Sequence, residues 1–141
     1  MNVPAAVAAG LVATVVMTAL MYVAPMMGLP KMDIVGMLGS MLTPTRRPAV
    51  AIGTALHLMM GVVFALIYAT LWTQGLGRPD WLWGAIFGVV HAVIAMMAMP
   101  MMMRMHPRPP AMAGGPMAAM GLVMGHVVYG VVVALVYAAG Q

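Results

Sequence analysis

Three of the four histidines, His57, His91 and His126, fall inside long apolar runs, where an ionisable side chain is costly and needs a partner. Imidazole serves zinc, copper and iron alike, and two facing imidazoles can clamp a haem iron from both sides. Two of the three lie in matched surroundings. The stretch His57-Leu-Met-Met-Gly61-Val-Val-Phe-Ala65-Leu-Ile-Tyr68-Ala69 returns 69 residues later as His126-Val-Val-Tyr-Gly130-Val-Val-Val-Ala134-Leu-Val-Tyr137-Ala138. Apolarity alone does not explain a matched His and a matched Tyr, so the chain reads as an internal duplication of a helix pair.

Depth arithmetic puts these residues together. His57 is nine residues past Pro48 and His126 ten past Pro116. At about 1.5 Å per residue both lie about 14–15 Å deep, near the middle of a hydrocarbon layer about 30 Å thick. His91 enters from the opposite side, ten residues past Trp81, and reaches a similar level. Two tandem helix pairs of the same topology are related by a pseudo-twofold axis along the membrane normal. If the bundle closes in chain order, the second and fourth spans form a diagonal, with His57 and His126 facing across it. Small residues at this spacing admit a neighbouring helix or a flat ligand; in the haem reading Gly61 and Gly130, one turn away, leave room for the macrocycle and Tyr129 reaches it. The candidate metal ligands are His57, His91 and His126; the candidate cofactor contacts are His57, His126, Gly61, Gly130 and Tyr129. Haem b and a transition metal (Cu, Zn or Fe) are both open, as is a purely structural role in which each imidazole bonds a neighbouring carbonyl, hydroxyl or water.

The elements that position these residues follow from composition. Of 141 residues, 65% are hydrophobic and 6% charged, far from the quarter charged that is usual in soluble domains. Four apolar runs are each long enough for the roughly 20 residues that cross a bilayer. They are expected over about 3–22, 48–72, 81–103 and 116–139, as one all-α membrane domain over 1–141 built from repeats 3–73 and 81–139. Between the first two spans, Met26 to Leu42 is amphipathic and too short to cross, so it is expected to lie at the interface. Basic residues sit in the connections, so the net charge of +4 bears on topology and anionic lipid rather than nucleic acid. Lys31, Arg46, Arg47, Arg104 and Arg108 share one side, against Arg78 on the other, which predicts that side inside and both termini outside. The first run lacks a basic leader and a small-residue cleavage site and reads as a retained helix.

Other chemistry is thin. With no cysteine, disulfides, thiolate metal sites and iron–sulfur clusters are excluded. The 21 methionines read either as pliable core filler or as thioether ligands for Cu(I). Met99, Met101, Met103, Met105 and His106 could receive copper at the end of the third span. Asp33 reads as a helix N-cap or as a further ligand. Tyr68 and Tyr137, about 16 Å beyond their histidines by helical rise, are expected to anchor at the outer boundary. No nucleophile–base pair, phosphate loop or carboxylate pair is present, so enzymatic activity is not expected.

The segments Gly28-Leu-Pro-Lys-Met-Asp33, His57-Leu-Met-Met-Gly61, Gly88-Val-Val-His91 and Gly125-His126-Val-Val-Tyr-Gly130 together resemble a family of small bacterial four-helix membrane proteins of unknown function. The resemblance spans nearly the whole chain and implies a multi-pass protein of the bacterial cytoplasmic membrane, with no activity attached. Function must be read from the histidines: a non-catalytic metal or haem protein, an electron-transfer or accessory subunit, a structural subunit of a larger membrane complex, or a Met/His copper-handling protein. Lipid is the expected partner, with other membrane subunits or self-association through small-residue faces beside it.

Overall fold

A peptide group in hydrocarbon has no water to bond, so an apolar run must satisfy its backbone within its own segment as a helix. The computed structural model, which describes residues 1–112 and 114–141, obeys this throughout. Helix α1 spans Val3–Val23, α3 Arg46–Thr73, α4 Trp81–Met105 and α5 Pro116–Ala139; each is long and apolar enough to cross a membrane. The protein is a multi-pass membrane protein.

The ends of these helices have local causes. Asn2 caps α1 by accepting from the Ala5 amide at 3.1 Å. Pro25 removes a donor, and the chain narrows to a single 3-10 turn over Ala24–Met27 that Gly28 closes at φ 81°. Asp80 caps α4 through the Trp83 amide at 2.9 Å. The equivalent proline of the second half, Pro100, sits inside α4 without ending it. Thr14 and Thr18 bond back to the Gly10 and Thr14 carbonyls at 2.7 Å, the usual way a hydroxyl is satisfied in lipid.

The four spans close in chain order. Helix α1 packs on both α3 and α5, and α4 packs on α5. The α3 and α4 backbones stand further apart, and aromatic rings fill the seam: Trp72 stacks on Phe87 at 5.7 Å and Phe64 on His91 at 3.7 Å between centroids. Helices α3 and α5 therefore lie on a diagonal, and the Tyr129 hydroxyl crosses it to donate to the Gly61 carbonyl. The two chain ends meet on one side, where the Asn2 amide nitrogen donates to the Gly140 carbonyl at 2.8 Å. The other side carries the 28–45 and 106–115 connections.

The remaining helix, α2, is shorter than the expected 26–42 element: it spans Ile34–Ser40, with Asp33 as its N-cap. Most of it is buried, because glycines let its backbone press onto the start of α3. A Cβ on Gly39 would strike the Ala49 carbonyl, and one on Gly53 would strike that of Val35. The second half reaches over to hold α2 in place. The Arg108 amide donates to His106 Nδ1 at 3.0 Å, so the proton sits on Nε2, which donates to the Met37 carbonyl at 3.0 Å. Arg108 also donates to the Ser40 carbonyl at 2.8 Å.

A candidate intramembrane histidine site

The two helix pairs are closed by equivalent contacts. Gly10 on α1 lies against Gly61 and Ala65 of α3, and Gly84 on α4 lies against Gly130 and Ala134 of α5. This pairing aligns Gly10-Leu-Val-Ala-Thr14-Val-Val-Met17 with Gly84-Ala-Ile-Phe-Gly88-Val-Val-His91. The first helices of the two halves thus correspond through this glycine register, one residue off the register of Pro25 and Pro100. Met17 occupies the place in the first half that His91 occupies in the second. The positions matched in this way carry Met17 and His91 on the first helices and His57 and His126 on the second, and all four border the same interior space.

The three imidazoles are anchored unequally. His126 donates from Nδ1 to the Leu122 carbonyl at 2.8 Å, which leaves its Nε2 lone pair free. His91 pairs through Nδ1 with the Tyr68 hydroxyl at 3.3 Å and is stacked by Phe64. The His91 and His126 rings meet edge to face, 4.6 Å between centroids at 76°. His57 is 8% exposed, yet neither of its ring nitrogens has a hydrogen-bond partner. A buried, unpartnered polar group costs about 1–3 kcal/mol, so this ring demands an explanation. Among the described residues, no three His, Cys, Asp or Glu side chains already stand together as a metal site. His91 and His126 form a pair, and His57 lines the same gap in the bundle.

That gap is a cavity of about 140 Å³. Besides the histidines, seven methionines line it: Met17 and Met21 from α1, Met60 from α3, Met99 and Met102 from α4, and Met32 and Met37 from the segment below. No carboxylate borders it. An engineered cavity of about 150 Å³ holds a benzene molecule, and this space is of that order. Gly61 and Gly130 do not widen it. A Cβ on Gly61 would collide with Thr14 Oγ1, and one on Gly130 with the Gly84 carbonyl, so these glycines serve helix contact. The expected room for a macrocycle beside them is filled by protein. Tyr129 borders the site but spends its proton on the Gly61 carbonyl.

Several expectations fall elsewhere. Tyr68 and Tyr137 are buried and face the bundle, Tyr68 against His91 and Tyr137 under the Asn2 amide at 3.3 Å. Both share their histidine's helical face, since eleven residues make just over three whole turns. His106 has both ring nitrogens engaged in hydrogen bonds, to the Met37 carbonyl and the Arg108 amide. Met101 and Met105 are exposed to the surroundings, whereas Met99 and the unforeseen Met102 face the cavity. Asp33 acts as the N-cap of α2, accepting from Gly36 at 2.8 Å, and pairs with Arg46 at 2.8 Å. Partial burial opposes its charge, but the Arg46 hydrogen bond, the Gly36 amide and the nearby Lys31 outweigh that and hold its carboxyl below the usual value. The small-residue faces expected to support self-association are mostly used within the bundle; Gly121 is one with open space over it.

A ring of four spans around buried histidines defines a small integral membrane protein with its polar chemistry at mid-depth. Over residues 1–141 the chain matches the model of a family of unknown function (DUF6789), and it belongs to that family. No curated protein and no solved structure matches it.

Proposed function

We propose that the protein binds a soft, monovalent transition-metal ion, Cu(I) being the best match, inside the membrane at His57, His91 and His126 with Met17 as thioether ligand. The unpartnered His57 ring carries this reading. An imidazole with no hydrogen bond of its own can turn into the cavity without breaking one. The free Nε2 of His126, backed by a carbonyl on the other nitrogen, is the arrangement metal-bound histidines use. Thioether and imidazole donors are soft and neutral. With no carboxylate or thiolate at hand, a divalent ion would keep its full charge in a low-dielectric interior, and the cost of burying charge rises steeply. A monovalent ion meets the smallest penalty, and the cavity volume favours an ion over haem b.

The reading is non-catalytic: the chain would hold or hand on the ion. The charge asymmetry supports placing α2 and the Arg108 connection on the cytoplasmic side of a bacterial inner membrane, with both termini outside. The test is an anaerobic Cu(I) titration of the purified protein against a chromophoric chelator. One ion per chain is expected, with His57→Leu, His91→Leu and His126→Leu each weakening affinity at least about 100-fold at unchanged helicity. X-ray absorption should report mixed nitrogen and sulfur neighbours. A triple variant that binds Cu(I) as the wild type does, or a haem absorption band in protein purified from its source, would overturn the assignment.

A further inference from the structure

On the α2 side, a second hollow of about 510 Å³ lies between Lys31, the α2 residues Gly36 and Ser40, Arg46 at the start of α3, and Arg108 with the residues after it. Its size is in the range of ordinary ligand sites. Three cations from three separate segments face it, and Asp33 is the one carboxylate among its walls. Asp33 is already committed to Arg46 and to the Gly36 amide. Lys31 has no ion-pair partner among the described residues. Arg46 and Arg47 also occupy the first turn of α3, where the helix dipole disfavours cations, and Thr45 supplies no side-chain cap there. Arg46 also pairs with Asp33 and Arg108 also donates to the Ser40 carbonyl, so these two cations hold the fold as well as face the hollow. The hollow sits where the apolar spans of α3 and α4 end, which is the depth of lipid headgroups.

We infer that this hollow binds the headgroup phosphate of an anionic phospholipid, held by Lys31, Arg46 and Arg108. A basic pocket beside the membrane-spanning helices is the form such recognition takes. Guanidinium groups match phosphate oxygens in a forked geometry, and the lipid's tails would lie along the apolar helix faces below.

The inference is independent of the metal reading and is tested by native mass spectrometry of the full chain in detergent. Phosphatidylglycerol, phosphatidylcholine and inorganic phosphate are titrated separately. Phosphatidylglycerol should be retained at least about tenfold more tightly than phosphatidylcholine. Lys31→Gln with Arg108→Gln should remove that preference, while Arg104→Gln, a cation at the same end outside the hollow, leaves it. Circular dichroism checks that the variants fold. Ala111→Glu, which places a negative charge at the wall without touching any ion pair, should abolish the preference even if the double variant is unstable. Retention unchanged in both the double variant and Ala111→Glu, or an equal loss in Arg104→Gln, overturns the proposal in favour of diffuse charge. Tight binding of inorganic phosphate without any lipid preference overturns the lipid assignment.

Discussion

In the second half, His126 bonds the carbonyl of Leu122; in the first, the residue at the matching place is Gly53, and His57 bonds nothing. The two helices are otherwise alike, with Gly61 and Gly130, Ala65 and Ala134, Tyr68 and Tyr137 in register. What separates them is α2. Among the described residues, only the first half has a short helix pressed onto its second span, and Gly53 is the residue that admits it. The Leu122 position has no such neighbour and keeps a full side chain at the cavity wall. The two helices thus make alike contacts near the bundle centre and differ at the end where α2 packs on α3 and a proline-rich connection precedes α5.

Exchanging residues between the halves tests this. The largest effect is expected from Gly53→Leu, which installs the second half's residue in the first. With the Val35 backbone in its way, the change should cost about 3 kcal/mol or more, or prevent folding, in thermal unfolding followed by circular dichroism. The reverse change, Leu122→Gly, should cost about 2 kcal/mol as a cavity. If Gly53→Leu is tolerated, the close seating of α2 is wrong.

Next comes Met17→His, which gives the first half the imidazole of the second. A fourth nitrogen ligand is expected to improve Zn(II) binding about tenfold, or about 1.4 kcal/mol, at the expense of Cu(I) preference. No change in relative affinity would show that residue 17 does not reach the ion. Smaller still, in metal-free protein, His57→Leu should raise stability by about 1 kcal/mol by deleting an unpartnered polar ring, and His126→Leu should lower it by about as much. Equal and opposite signs are the signature; a loss in both would mean that His57 has a partner after all.

The smallest effect is the pH dependence that Asp33 contributes in the first half, beside that of Asp80, whose carboxyl the Trp83 amide and Arg78 also hold below its usual value. The Asp33 carboxyl has a folded pKa below its usual value, so its contribution is fully present above the unfolded pKa. It fades as the pH falls through the lower folded value. Arg46 is solvent-exposed, so screening keeps the contribution modest. Asp33→Asn should remove this acid-side dependence, and an unchanged profile would count against the pairing.

Hydropathy made the four spans and their order legible, because a bilayer leaves an apolar run of that length few alternatives. Terminal residues were off by a turn or less: α3 begins at Arg46 and α4 runs on to Met105. The shared face of His57, Gly61, Ala65 and Tyr68 was also readable, yet rise along the axis suggested a boundary role for Tyr68 that helical phase rules out. Phase is the better guide to burial, since it decides which side chains face inward. The meaning of Gly39, Gly53, Gly61 and Gly130 was out of reach, because a glycine shows that something comes close without showing what. The correspondence of Met17 with His91 is present in the spacing from Gly10 and Gly84, one residue off the spacing of Pro25 and Pro100.

Helix α2 and the residues before it floor the histidine cavity on the polar side, and the two donors that fasten the helix, His106 and Arg108, come from the other half. Anything passing from that side must dislodge the floor against bonds made by a distant part of the chain. If the proposed ion binds in this cavity, these bonds would let its residence time change without any change in the residues proposed to coordinate it.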